Sequence, residues 1–113
     1  MKIVENILEL DAERIHQDAE RTKLFIYYSA SWCMPCKIVK PILTLLEEKH
    51  PEIKFLNVDV EHVESNVRSL PAFMISGYIE TVSGYMKVHK TLMGINTLEM
   101  FEDELKQLFH ANH

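Results

Sequence analysis

Apolar residues in this chain fall into short runs whose spacing changes from one run to the next. Ile3 to Leu8 carries the apolar content of a first strand. From about Asp11 to Arg21 the pattern turns helical, with Asp11 as a fair N-cap and Ile15 and Ala19 four apart on one face. Residues 24–28, Leu-Phe-Ile-Tyr-Tyr, form a continuous apolar and aromatic run, as expected of a strand buried on both faces. Ile38, Val39, Ile42, Leu43, Leu45 and Leu46 then predict a helix reaching about Lys49. Pro41 lies inside it and is expected to kink it, because its ring removes a donor and crowds the preceding turn.

Residues 53–60 read as the next strand, and a short helix is expected over Glu61 to Val67. Ala72 to Glu80 and Tyr85 to Leu92 predict two strands joined through Thr-Val-Ser-Gly as a hairpin. A last helix begins near Asn96, which has capping-box spacing to Glu99 although Asn replaces the usual Ser or Thr. Leu98, Phe101, Leu105 and Leu108 make its buried face. The expected order is βαβαβαββα, an α/β arrangement: a central mixed sheet of about five strands flanked on both faces by about four helices.

Length fits one domain spanning residues 1–113, and 47% hydrophobic content is enough for an ordinary core. Charge narrows the partners: 17 acidic against 12 basic residues give a formal charge of -5, with no basic stripe to neutralise phosphates. Nucleic acid is therefore not an expected ligand. No apolar run approaches the roughly 18 residues of a membrane span. The first residues are interrupted by Glu5, Asn6, Glu9 and Asp11, so they lack the unbroken apolar segment of a signal peptide, and a cytoplasmic location is expected.

That location bears on the two cysteines, Cys33 and Cys36, which follow the only tryptophan, Trp32. In a reducing cytosol such a pair serves catalysis or metal binding more often than stapling, and so small a loop adds little stability when closed. The pair follows a buried strand and opens a helix. Unpaired backbone N–H groups and the helix dipole there favour a nucleophilic thiolate at Cys33. Cys36, deeper in the first turn, is expected to be less exposed and suited to resolving a mixed disulfide. Pro35 is acceptable in a first turn, where its missing donor is not needed. Zinc normally wants four ligands, and one Cys-x-x-Cys supplies two. An iron–sulfur cluster bridging two subunits stays open, as does an inert pair.

At these residues the sequence resembles the thioredoxin family. The matching marks are Trp-Cys-Met-Pro-Cys-Lys at 32–37, Pro41 in the helix, Phe-Leu-Asn-Val-Asp at 55–59, Val-Arg-Ser-Leu-Pro-Ala-Phe at 67–73, and Gly94 before the last helix. They run in order over nearly the whole chain. The resemblance implies a thioredoxin fold and thiol–disulfide exchange on protein substrates, with Cys33 attacking and Cys36 resolving through a redox-active disulfide. It implies a cis Leu70–Pro71 bond packed against the pair. Trp32, Met34, Pro35, Leu70, Pro71, Met93 and Gly94 would then form the apolar surface that receives substrate. Thioredoxin reductase is the implied electron donor. A monomer without cofactor or metal is expected.

The departures are as specific. Met34 stands where the family usually has Gly, giving an adaptable contact surface. The family's buried Asp, six positions before the first Cys, aligns with Tyr27, and its Lys partner on the next strand aligns with Phe55. Tyr27 is expected to be a core residue with a hydrogen-bonded hydroxyl, a poor base with a reference pKa of about 10. The segment from Asp59 to Pro71 looks shorter than usual, so the third helix is expected to be a single turn or irregular, and the hairpin from Ala72 to Leu92 looks longer. The rival reading is a binding module or accessory subunit that docks through the surface around Trp32 without redox turnover.

Overall fold

The computed structural model describes residues 1–110. The elements run β1 (Lys2–Val4), α1 (Ile7–Glu20), β2 (Lys23–Ser29), α2 (Met34–Lys49), β3 (Ile53–Asp59), β4 (Ala72–Thr81), β5 (Gly84–Met93) and α3 (Leu98–His110). They build one five-stranded sheet in the order β1-β3-β2-β4-β5. β3 is parallel to β1 and β2, whereas β4 is antiparallel to both β2 and β5. The sheet is mixed, as the sequence pattern predicts.

Alternation along β2 divides the core. Phe25 and Tyr27 face a cluster with Val39, Leu43 and Leu46 of α2 and Phe101 and Leu105 of α3. Leu24, Ile26 and Tyr28 face the other way, with Leu10 of α1, Leu56, Val58 and Val63. Because successive strand side chains point to opposite faces, a fully apolar run is what a strand with helices on both sides requires.

Several sequence expectations are corrected. The first strand is shorter than Ile3–Leu8, because Asn6 caps α1: its side chain accepts from the Glu9 N–H at 3.0 Å. Asp11 is inside the helix. Ile15 and Ala19 point outward, and α1 instead buries Leu10, Glu13 and Gln17. The Glu13 carboxylate accepts from Lys2 at 3.0 Å and Lys54 at 2.9 Å, while Gln17 donates to the Thr22 carbonyl and to Ser76, both at 3.0 Å. Asn96 is not the cap of α3 either. Its amide donates to the Met93 and Gly94 carbonyls, and Thr97 accepts from the Met100 N–H at 3.1 Å.

No helix covers Glu61–Val67, so the order is βαβαβββα with three helices among the described residues. The chain makes one turn there. The Asp59 carbonyl accepts from His62 and Val63, the Asp59 side chain accepts from the Glu61 N–H, and Val63 is buried. Beyond Val63 the segment has no apolar stripe to pack a helix, and Ser65 and Asn66 are residues that compete with helical backbone bonding.

The long hairpin closes through a two-residue loop, with Gly84 at a φ of 123°. Its outer part packs on the C-terminal end of α1. Asp18 accepts from Lys87 at 2.7 Å and from the Tyr78 hydroxyl at 2.8 Å, and the Arg21 guanidinium lies 4.3 Å above the Tyr85 ring.

Candidate active site

β2 ends at Ser29, and the chain crosses Ala30 to Trp32 before α2 begins at Met34. Cys33 is the N-cap of α2, in extended conformation, and its Sγ accepts from the Cys36 N–H at 3.2 Å. The two cysteines form a disulfide with a Cα–Cα distance of 5.3 Å. In this state both are 3% exposed, so exposure does not separate them as expected; their positions at the helix terminus do. The first turn of α2 carries no acidic residue to oppose negative charge at Cys33. α2 runs on through Pro41 to Lys49.

Around the pair lies an exposed apolar surface. Trp32 is 68% exposed, Met34 65% and Met93 60%. Pro35 is exposed in the first turn of α2, while Leu70 packs against the core cluster that contains both cysteines. The Leu70–Pro71 bond is cis, and Pro71 is buried at the entry to β4. Its carbonyl accepts from the Gly94 N–H at 2.9 Å, and Ser69 donates to the Met93 sulfur at 3.3 Å. Leu70, Pro71, Met93 and Gly94 are thus brought together across the ends of β4 and β5.

Behind the disulfide the core is aromatic. Tyr27 is buried, and its hydroxyl donates to the Cys36 carbonyl at 2.9 Å. Burial pushes its ionisation upward. Phe55 stacks on Phe25 with centroids 4.8 Å apart, and Tyr27 stacks on Phe73 at 5.7 Å. The two positions aligned with the family's Asp and Lys are therefore members of one ring cluster.

One contributor was not visible in the sequence. Glu61 accepts from the Ser31 N–H at 3.0 Å and from the Ser31 hydroxyl at 2.7 Å, pinning the loop just before Trp32. The Ser31 hydroxyl and N–H hold the Glu61 carboxyl below its usual range. Thirty residues separate the partners, so no local spacing could have announced them. Among the described residues, no group of three or more His, Cys, Asp or Glu is placed to hold a metal ion.

A strand-to-helix junction carrying a Cys-x-x-Cys disulfide, together with a cis-proline at the start of β4 in a mixed sheet, defines a thiol–disulfide oxidoreductase of the thioredoxin-fold class. The thioredoxin family model matches residues 7–106, and the chain belongs to that family. A thioredoxin from Ophiophagus hannah is 30% identical over 95 residues, covering 80% of this chain and 89% of its own. Mitochondrial thioredoxin 3 from Saccharomyces cerevisiae, in its oxidized form, superposes with a TM-score of 0.71 at 27% identity, over 96% of this chain and 95% of that one. Thioredoxin O2 from Arabidopsis thaliana shares the fold at a TM-score of 0.75 and 18% identity, over 96% and 93% of the two chains.

Proposed function

We propose that the protein is a cytoplasmic, single-domain, monomeric protein-disulfide oxidoreductase in which Cys33 attacks and Cys36 resolves. The observation that carries this reading is the place of Cys33 at the N-cap of α2, where the Cys36 amide points at its sulfur. In the reduced protein that amide and the helix dipole favour a Cys33 thiolate. The thiolate attacks one sulfur of a substrate disulfide. The substrate's other sulfur leaves as a thiolate and takes a proton from water. Cys36, once deprotonated, attacks the Cys33 sulfur of the mixed disulfide and releases the second substrate thiol. Two electrons have then passed to the substrate, and the Cys33–Cys36 disulfide remains. Thioredoxin reductase is the proposed donor that restores the dithiol. Trp32, Met34, Pro35, Leu70, Pro71, Met93 and Gly94 form the proposed substrate surface, its exposed aromatic and thioether groups suited to varied apolar chains.

The test is insulin reduction with thioredoxin reductase and NADPH. Cys33→Ser is expected to abolish exchange, whereas Cys36→Ser is expected to trap mixed disulfides with substrate. The aromatic cluster in place of the Asp and Lys favours a second reading, an accessory module that docks through the surface around Trp32. Partner capture that survives both substitutions, without turnover by the native protein, would select it.

A further inference from the structure

The absence of a helix after β3 leaves a cleft of about 790 Å³ between α1, residues 62–68 and the ends of β4 and β5. Its volume lies within the range of about 300–1,000 Å³ typical of ligand sites. The lining is apolar where Leu10, Tyr28, Ala72, Met74 and Met93 contribute, and cationic at Arg14 and Arg68. Arg14 is half-buried, donates to the Tyr28 hydroxyl at 3.4 Å, and makes no ion pair among the described residues. Arg68 is exposed and likewise makes none there. His62 lies on the same rim, 3.8 Å from Asp59, and Glu64 is the one carboxylate lining the cleft among the described residues. Two arginines against one glutamate make this a locally basic site on a molecule of formal charge -5.

The cleft is also continuous with the proposed substrate surface. Met93 belongs to both, and its β-ladder partner Ala72 follows Pro71 directly. We propose that the cleft is a second recognition site, receiving an apolar, glutamate- or aspartate-bearing segment of the polypeptide whose disulfide is exchanged. This rests on the reading of Cys33 and Cys36 as an exchanging pair. The apolar side chains of the segment lie over Leu10, Met74 and Met93, and a carboxylate pairs with the Arg14 guanidinium, whose fork geometry suits it. An exchange partner is then selected by sequence outside its disulfide, as well as by the disulfide itself.

The experiment uses a fluorescein-labelled peptide of alternating leucine and glutamate, free of cysteine, and its leucine–lysine counterpart. Fluorescence anisotropy with the full chain is expected to give at least tenfold tighter binding of the acidic peptide. Arg14→Glu and, separately, the exposed Arg68→Glu are each expected to weaken it at least threefold, with unchanged reduction of cystine by either variant. Circular dichroism confirms folding, and Arg68→Glu keeps the test decisive if Arg14→Glu does not fold. Equal binding of the two peptides, or acidic binding untouched by charge reversal, overturns the cleft whether or not cystine is reduced. Selective acidic binding that responds to Arg68→Glu, together with no disulfide exchange, sustains the peptide site and overturns the exchange reading instead.

Discussion

The Tyr27 hydroxyl is hydrogen-bonded to the carbonyl of Cys36, the residue that in the proposed mechanism must lose a proton for a mixed disulfide to resolve. Its proton is committed to that carbonyl, and burial raises its ionisation further. Tyr27 therefore holds the backbone of Cys36 without relieving its thiol. Single-turnover release of substrate from the Cys33 mixed disulfide is expected to be slow near neutrality and to accelerate as pH rises and the Cys36 thiolate fraction grows. Tyr27→Asp is expected to speed release at pH 7 while lowering stability by on the order of 2 kcal/mol, the order of placing a carboxyl in an apolar strand. Fast, pH-flat release by the native protein would show that another base, or water, serves Cys36.

Glu61 fixes the loop that leads to Cys33, the proposed nucleophile. Its lowered ionisation means that the hold on Ser31 is present above the ordinary carboxylate range and is lost as pH falls through the folded value. Glu61→Ala is expected to slow the Cys33 step several-fold and to remove this acid limb from the rate profile. Stopped-flow reduction of a small disulfide across pH checks it; an unchanged profile would detach Glu61 from the site.

His50 joins the end of α2 to α3, lying 3.0 Å from Glu52 and 2.9 Å from Glu102. Burial alone would lower its ionisation, but the hydrogen bonds and charges of both glutamates raise it above the ordinary 6.5. The stabilisation is thus complete below 6.5 and disappears as pH rises through the higher folded value. Urea unfolding is expected to show native protein losing up to about 1 kcal/mol over that window. His50→Asn should lack the loss.

Glu13 behaves oppositely. Burial pushes its carboxyl upward, but hydrogen bonds from Lys54 and Lys2 outweigh this and leave it below 4.5. Its stabilisation is present above 4.5 and is lost as pH falls through the folded value. Glu13→Gln is expected to cost about 1 kcal/mol at pH 7 and less at pH 3. Parallel thermal melts at the two pH values measure the difference.

Gly77 sits where α3 crosses β4. A methyl group there would lie 2.7 Å from the Phe109 ring and 3.0 Å from the Lys23 side chain. Gly77→Ala is expected to destabilise by about 1–3 kcal/mol through overpacking, without changing exchange by Cys33. Chemical denaturation and an insulin assay on the same preparation separate the two effects.

Period and composition located the central strands to within a residue or two, because Leu24 to Tyr28 of β2 and Ile53, Phe55, Leu56 and Val58 of β3 are buried on the two faces of the sheet. The cysteine pair was placed correctly for the same reason: a buried strand and an apolar helix bracket it. The failures came where tertiary contacts override the local signal. Ile7 and Leu8 look like strand residues, yet both are exposed at the start of α1 because Asn6 caps it. Ile15 advertises a buried face that α1 instead builds from Glu13 and Gln17, which only partners on β1, β3 and β4 make tolerable. The cleft beside Arg14 was announced only by the shortened stretch from Asp59 to Pro71, where the third helix does not form.

β5 borders the sheet, pairing with β4 alone, so one side of a ten-residue strand offers amides and carbonyls with no ladder partner. Such a border invites another copy to add itself and continue the ribbon. Here Lys87, His89 and Lys90 interrupt it, and Asp18 and Glu104 hold the two lysines in place. A second chain arriving border to border would bring its own lysines alongside these. The same side chains that fasten the hairpin to the helices thereby guard a molecule with a long open strand against aggregation.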